Sequence, residues 1–154
     1  MPDNENATCD VLVIGGGGAG LAAAIEAQTS GATTILIEKN DTLGGTTAWS
    51  IGSFTATGTP QQQKAGIDDS TDAHFDDMPK FAGPDAGRDN PILRRLFVDN
   101  ANDTLRWLMS MGVEFFGPMP EPPHTKPRMH NVLPNSRAYI RLLGKHAARI
   151  GIDI

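Results

Sequence analysis

The sequence predicts an α/β fold that opens with a strand, a helix and a second, parallel strand. Residues 10–14 and 33–37 are short, β-branched apolar runs, which are typical of buried parallel strands. The alanine-rich residues 19–29 between them favour a helix, and Gly31 is a suitable residue to end it. The three elements fit within about thirty residues, the size of a right-handed βαβ unit.

The turn after the first predicted strand has the glycine spacing of a dinucleotide site. The run from Gly15 to Gly20 satisfies the pattern G-x-G-x-x-G between a strand and a helix, which is the setting that this motif requires. Gly15 allows a tight turn, Gly17 lets the backbone approach a pyrophosphate, and Gly20 permits close packing of the helix on the strand. The start of the helix adds N–H groups and a partial positive charge that favour phosphate.

An acidic residue at the end of the second predicted strand supports the same interpretation. Glu38 follows Gly20 by 18 positions, and its carboxylate can accept hydrogen bonds from a ribose hydroxyl while its charge disfavours NADP. Glycine-rich turns alone are common, and Glu38 could instead simply cap a strand at the surface. The combination of turn, helix and carboxylate favours a dinucleotide ligand and a Rossmann-type unit.

The residues that follow decide between FAD and NAD. The chain continues as Glu38-Lys-Asn-Asp-Thr-Leu-Gly44-Gly45-Thr46-Thr47-Ala-Trp-Ser-Ile-Gly52-Ser53 rather than entering another helix. This segment closely resembles the flavoprotein family of fumarate reductases and succinate dehydrogenases, which includes soluble fumarate reductases, urocanate reductases and 3-ketosteroid dehydrogenases. The resemblance spans residues 9 to about 54. It implies an FAD-type Rossmann βαβ unit, part of an FAD-binding domain, followed by the start of a mixed α+β cap domain.

The glycine motif and the resemblance together indicate which residues line the cofactor. Backbone donors and small residues are needed there because bulky side chains would block the flavin and the pyrophosphate. The expected FAD-binding residues are Gly15, Gly17, Gly18, Ala19, Gly20, Glu38, Lys39, Gly45, Thr46, Thr47 and Gly52.

Two departures from the family pattern refine this expectation. Membrane-bound succinate dehydrogenases carry a histidine, covalently joined to the flavin, just before the family's conserved threonine. This chain has Thr46 at that position, so the resemblance implies noncovalent FAD. The usual Gly-Gly pair of the turn is Gly52-Ser53 here.

The chain is expected to divide into three parts. Residues 9–58 form the FAD-binding βαβ unit and flavin loop, residues 59–134 a linker and the beginning of the cap, and residues 135–154 a helix and strand that return to the FAD domain. Within the flavin loop a short helical turn is expected, with the apolar residues Trp49, Ile51 and Phe54 packed.

The middle part shows one clear element. Residues 59–89 lack periodicity and are rich in Asp, Gly, Pro and Gln, which predicts a mobile connection or insertion. An amphipathic helix is expected from Asn90 and Pro91 to Gly112, then a strand over 113–116. Residues 117–134 hold six prolines and predict an extended, docked arm. The apolar stripe of the helix comprises Ile92, Leu93, Leu96, Phe97, Ala101, Leu105, Leu108 and Met111.

The last part is expected to contain a helix from about Ser136 to Gly151, with Ile140, Leu143, Ala147 and Ile150 buried. The final residues 152–154 predict the beginning of a strand.

Several polar groups could have a chemical function, but a structural role is preferred for each of them. His124, Arg128 and His130 could form an anion or metal site, but a hydrogen-bonded arm is preferred, and Tyr139 is expected to pack rather than donate a proton. The basic stripe of Arg137, Arg141, Lys145 and Arg149 could bind phosphate or a partner, but a solvated helix face is preferred. The acidic run Asp68, Asp69, Asp72, Asp76 and Asp77 lacks calcium-loop spacing and is expected to be solvated. No catalytic residue and no metal site is predicted.

Composition excludes other classes of function. The net charge of −5 gives no footprint for nucleic acid or an anionic membrane. The single cysteine, Cys9, permits neither an intramolecular disulfide nor a thiolate cluster. Residues 1–8 lack the features of a signal peptide, and no run approaches the ~20 apolar residues of a membrane span, so a cytoplasmic location is expected.

The resemblance implies an FAD-dependent oxidoreductase that acts on the CH–CH group of a small unsaturated acid or a ketosteroid. The family's substrate-binding and proton-delivering residues lie beyond residue 154 by this resemblance. We therefore expect an N-terminal fragment that is inactive alone, with the rest of the flavoenzyme in cis or on another chain. The alternatives are a non-catalytic dinucleotide-binding module and a truncated, inactive remnant.

Overall fold

A computed structural model describes residues 7–154, which form two compact units. The first unit combines the described residues up to Ser50 with Ser136–Ile154, and the second is Ile51–Asn135. The expected α/β character is confirmed. Among the described residues, no helix has both the length and the apolar character that crossing a bilayer requires.

Five strands and six α-helices make up the described chain, with 3₁₀ turns at Gly45–Trp49 and Gly83–Arg88. In chain order they are β1 (Val11–Ile14), α1 (Gly18–Thr29), β2 (Thr34–Ile37), β3 (Ser53–Thr55), α2 (Pro60–Lys64), α3 (Thr71–Asp77), α4 (Pro79–Ala82), α5 (Pro91–Ser110), β4 (Glu114–Met119), β5 (Met129–Leu133) and α6 (Arg137–Arg149).

The first unit is the predicted βαβ unit with α6 added. Strands β1 and β2 pair in parallel, with Val11 opposite Thr34 at the start of the register. The expected strand at 152–154 is a single parallel bridge, in which the Leu36 N–H donates to the Asp153 carbonyl at 2.8 Å. Helix α1 packs against α6, and the apolar side chains buried on these two helices are Leu21, Ala24, Ile25, Ala138, Leu143 and Ala147. The chain therefore returns to this unit at its end.

The second unit contains an antiparallel sheet that the sequence did not predict in full. Its strand order is β3-β5-β4, so part of the expected proline-rich arm is the central strand. The prolines do not prevent this, because Pro118 lies at the register shift between Phe116 and Met119, where no ladder donor is required. The sheet packs on α5 through a small apolar cluster of Ala56, Ala101, Leu105, Phe54 and Phe115.

Residues 59–89, for which a mobile connection or an insertion is predicted, contain three short α-helices and a 3₁₀ turn. Thr59 and Gln62 form a reciprocal capping box at the start of α2, and the Ser70 side chain accepts the Ala73 N–H at the start of α3. Helices of four to seven residues are too short to show a periodic apolar pattern. Capping hydrogen bonds and tertiary contacts stabilise these short helices.

Helix α5 begins as predicted, with the Asn90 side chain accepting the N–H groups of Ile92 and Leu93. Its predicted apolar stripe is buried only from Ala101 onward, and Val98, outside the stripe, is buried as well. The buried residues are Val98, Ala101, Leu105 and Leu108, whereas Ile92, Leu93, Leu96 and Phe97 are exposed. The expectation of one continuous buried face is therefore wrong for the first two turns.

A buried ion cluster ties α3 to the segment before β5. The Arg128 guanidinium, fully buried, donates to both carboxylate oxygens of Asp69 at 2.7 Å and to Asp77 at 2.6 Å. Burial acts to raise the pKa of Asp69, but hydrogen bonds from Arg128 and Gln62 hold that pKa below its ordinary value. The expectation of a solvated acidic run is wrong for Asp69 and Asp77, because the sequence does not show that Arg128 lies between them.

His74 lies beside this cluster and is itself buried. Its Nδ1 lies 3.0 Å from the Thr57 hydroxyl, and its ring contacts the rings of Phe97 and His124 edge to face. Its Nε2 has no hydrogen-bond partner among the described residues. Burial, followed by the nearby charge of Arg128, lowers the pKa of His74 to about 4, so the ring is neutral in the folded state.

We expect Arg128→Met to reduce the free energy of unfolding by about 3–5 kcal/mol, because it leaves the buried Asp69 without its cation and Asp77 with only the half-exposed Lys80. The matched control is Arg95→Met, which removes a partly exposed arginine paired with Asp72 and Asp99 and should cost less than about 1 kcal/mol. Urea unfolding followed by the fluorescence of Trp107 measures both. Equal losses in the two variants would contradict the role given to the cluster.

Stability should fall as the solution is acidified, because the unfolded chain binds a proton at His74 that the folded chain rejects. The pKa of His74 is 6.5 unfolded and about 4 folded, so its contribution is complete above pH 6.5 and declines toward pH 4. We expect a loss of about 1–2 kcal/mol between about pH 7 and pH 5.

The control for the acid effect is His74→Asn, which keeps an acceptor for Thr57 without the titrating ring. Its unfolding free energy should depend less on pH over the same range. Burial also lowers the pKa of His124 and His130, which should leave a smaller residual slope. An unchanged slope in His74→Asn would contradict the assignment.

Candidate functional site

In the glycine turn, Gly20 lies so close to the Gly15 carbonyl that no side chain fits at Gly20. A Cβ placed on Gly20 would lie 1.8 Å from the Gly15 carbonyl oxygen. Gly15 itself has a φ of 106°, in the region that favours glycine, and its N–H donates to the Ile37 carbonyl at 2.7 Å. The start of α1 is thereby pressed against the end of β1, as the motif predicts.

Glu38 joins the end of β2 to this turn. One carboxylate oxygen accepts the Gly16 N–H at 2.8 Å, and the other accepts the backbone and side-chain N–H groups of Asn40 at 3.0 and 2.9 Å. The hydrogen bond from the Gly16 N–H, followed by the one from the Asn40 N–H, lowers the pKa of Glu38 below its ordinary value. The carboxylate is therefore ionised and fixed in position beside the turn.

The loop after Glu38 docks on the turn through backbone groups. The Gly44 N–H donates to the Gly16 carbonyl at 2.9 Å, and the Gly18 N–H donates to the Thr47 hydroxyl at 3.2 Å. Gly44 and Gly45 have φ values of 149° and 50°, so both use conformations that favour glycine. Gly18 and Thr47, 29 residues apart in the sequence, thus meet at the start of α1.

The structure gathers ten of the eleven predicted cofactor residues in the first unit. These are Gly15, Gly17, Gly18, Ala19, Gly20, Glu38, Lys39, Gly45, Thr46 and Thr47. The eleventh, Gly52, lies in the second unit, where it is buried and its carbonyl accepts the Val132 N–H at 3.2 Å. Contact of any of these residues with a cofactor stays a prediction.

The geometry of the turn fits a pyrophosphate and a ribose. A Cβ on Gly15 would meet no atom within 4 Å, and one on Gly17 would meet only the Gly44–Gly45 backbone at 3.7 Å and beyond, so the backbone there is open to a ligand. The first N–H groups of α1 lack intrahelical acceptors, which suits an anion. Glu38 supplies an ionised acceptor for a hydroxyl.

The residues considered for an anion site, a metal site or a proton donor are packed in the structure. His130 is fully buried, with Nε2 3.0 Å from the Thr59 hydroxyl, and Arg128 belongs to the ion cluster. Tyr139 is buried, and burial raises the pKa of its phenol above the ordinary range. These three side chains are therefore packed among neighbouring residues, and the expectation that they have no chemical role stays a prediction.

A cleft in the first unit was not predicted. It has a volume of about 870 Å³ and lies between the segment 39–49 and the first turns of α6, where Arg137, Ile140 and Arg141 line it. The expectation that Trp49 and Ile51 pack is wrong, because they are 82% and 85% exposed, and Trp49 lines the cleft. The repeated arginines of the basic stripe were the only sequence signal for this cleft.

Residues 10–151 match the family model described as the FAD binding domain. Over 104 residues, 68% of this chain and 11% of the relative, the sequence is 39% identical to the NADH:fumarate oxidoreductase of Klebsiella pneumoniae (strain 342). Over 64 residues, 42% of this chain and 13% of the relative, it is 48% identical to the 3-oxosteroid 1-dehydrogenase of Rhodococcus opacus. The structure of the open conformation of a flavocytochrome c3 fumarate reductase matches 97% of this chain and 27% of that chain, with a TM-score of 0.87 and 28% identity.

These similarities confirm the family resemblance drawn from the segment after Glu38. This chain spans only 11% and 13% of the length of the two relatives just described.

The contact between Gly20 and Gly15 predicts a sharp difference between two alanine substitutions. Gly20→Ala should lower the free energy of unfolding by about 3 kcal/mol or more, because its Cβ would collide with backbone. Gly17→Ala, with a φ of −79° and no atom within 3.7 Å of its Cβ, should cost less than about 1 kcal/mol. Urea unfolding followed by far-UV circular dichroism distinguishes them. Equal tolerance of both changes would show that the close approach is not required.

Proposed function

This chain belongs to the FAD-binding domain family, and from that premise we propose that its first unit holds the FAD of a flavin-dependent oxidoreductase. One observation carries the proposal. The glycine turn, the ionised Glu38 and the Gly44–Gly45 loop are joined by hydrogen bonds at the start of α1. Backbone donors and one carboxylate therefore converge where a dinucleotide requires them.

Each group has a distinct role in this proposal. The open backbone at Gly15 and Gly17, with the first N–H groups of α1, binds the pyrophosphate. Glu38 accepts hydrogen bonds from the ribose of the adenosine half. The loop residues Gly45 and Thr46 approach the flavin half, and Thr47 orients that loop through its hydrogen bond from Gly18. The remaining predicted residues Gly18, Ala19, Gly20, Lys39 and Gly52 complete the expected set.

We further propose that the FAD is noncovalent. The family members with covalent flavin use a histidine at the position of Thr46, and a threonine hydroxyl does not offer the imidazole nitrogen that forms that link. Thr46 is exposed, so a small polar side chain faces the solvent there.

The whole flavoprotein is proposed to act on a CH–CH group, as a reductase of a small unsaturated acid or as a ketosteroid dehydrogenase. When bound, FAD supplies the hydride transfer, whereas this chain binds and orients it. The relatives whose names carry those activities are several times longer than this chain, which spans only 11% and 13% of them. We therefore propose that the chain alone turns over neither fumarate with a reduced dye nor a ketosteroid. A cytoplasmic location stays a prediction.

A non-catalytic dinucleotide module is less favoured, because the relatives described above are named as oxidoreductases.

The cofactor proposal predicts that the purified chain binds added FAD and that Gly17→Ala weakens binding by at least about tenfold, since the new methyl group occupies the phosphate approach. Quenching of flavin fluorescence measures the affinity. The matched control, Gly87→Ala, adds a methyl group with no atom within 4 Å in the second unit and should bind FAD normally. A folded chain without measurable FAD binding would overturn the proposal.

The same sample tests the attachment of the flavin. After precipitation with acid, all of the flavin colour should remain in the supernatant. Flavin retained in the washed pellet would contradict noncovalent binding.

A further inference from the structure

We propose that Asn40 is a positioning residue of the proposed FAD site, because it occupies one oxygen of the Glu38 carboxylate and leaves the other to bind a single ribose hydroxyl. Asn40 is not among the residues expected to line the cofactor. Its role rests on the proposed binding of FAD and narrows it, since Glu38 then contacts only one of the two hydroxyls of the adenosine ribose.

The two oxygens of the Glu38 carboxylate have different partners. Oε1 accepts the backbone N–H of Asn40 at 3.0 Å and the side-chain N–H of the same residue at 2.9 Å. Oε2 accepts the Gly16 N–H at 2.8 Å. Each oxygen of an ionised carboxylate offers about two acceptor positions. Oε1 is therefore filled by Asn40 alone, and Oε2 keeps at most one position for a ligand.

Oε2 is the oxygen that lies against the glycine turn. A Cβ on Gly16 would be 3.4 Å from Oε2, so this oxygen is next to the backbone that the pyrophosphate approaches in the proposed site. The carboxylate cannot exchange its two oxygens by rotation without breaking the hydrogen bonds from Gly16 and Asn40. These two residues thus determine which oxygen meets the ligand.

The ribose of the adenosine half of FAD carries neighbouring 2′- and 3′-hydroxyl groups. An acidic residue at the end of the second strand of a Rossmann unit is suited to such a ribose. A carboxylate binds both hydroxyls at once when each of its oxygens accepts one of them. Because Asn40 fills Oε1, only one hydroxyl can bond to Glu38, and the other is left to water or to another group.

The side-chain amide is the part of this arrangement that a substitution can remove. Its Nδ2 reaches back two residues to Oε1, whereas the backbone N–H of residue 40 is retained in every substitution except proline. Asn40→Ala therefore frees one acceptor position on Oε1. Because Asn40 is exposed, this change should leave the urea midpoint of unfolding nearly unchanged.

The test compares FAD with two analogues whose adenosine lacks either the 2′- or the 3′-hydroxyl, and flavin fluorescence measures each affinity. In the parent chain we expect one analogue to bind about tenfold more weakly than FAD and the other to bind within about twofold of it. In Asn40→Ala, both analogues should bind at least about fivefold more weakly than FAD binds to the same variant. Each ratio is taken within one protein, so a general loss of affinity does not change it.

The matched control is Asn100→Ala, which removes another exposed amide, one that donates to the Leu96 carbonyl in the second unit. It should keep the pattern of the parent chain. Weaker binding of both analogues to the parent, or of neither, would overturn the single contact at Glu38. The parent pattern in Asn40→Ala would show that the amide is only structural and would overturn the role of Asn40.

The same titrations separate this proposal from the cofactor proposal. Each of the three contrary patterns is measured with FAD bound, so it refutes the role of Asn40 and leaves the binding of FAD intact. A folded parent chain that does not bind FAD refutes the cofactor proposal, and the role of Asn40 with it.

Discussion

The first unit depends on one close approach, that of Gly20 to the Gly15 carbonyl. Because no side chain fits between them, α1 can begin directly against the end of β1, and its first N–H groups open at that edge of the sheet. Glu38 and the Gly44 loop then attach to the same turn through Gly16. A steric constraint between two backbones thus determines where a carboxylate, a helix terminus and the Gly44–Gly45 loop come together.

The second unit is organised differently, around charge. Its apolar cluster is small, whereas Arg128, Asp69 and Asp77 are all buried and fully paired. Such a network is costly to desolvate and adds little to stability over a well-packed apolar core. It does impose one geometry, because a displaced strand would leave an unpaired charge. We regard it as the device that fixes β5 relative to the short helices.

The local parts of the fold were predictable and the non-local parts were not. The observed β1, α1 and β2 differ from the expected ranges by at most one residue, since β-branched runs and a glycine stop act locally. The strand β5 was missed because its pairing depends on partners far along the chain, and prolines concealed it. In the candidate site, the glycine spacing and Glu38 predicted which segments meet, whereas the exposure of Trp49 required the fold.

The first unit is built from two separated stretches of chain, and Asp153 completes its hydrogen bonding at the free edge of β2. During synthesis, residues 51–135 leave the ribosome before α6 exists, so the second unit is the first that has all of its own residues available. The glycine turn precedes the second unit along the chain, whereas α6 and Asp153, which pack on the same unit as the turn, follow it. The first unit is therefore assembled only after the second has been synthesised, although its glycine turn is translated before it.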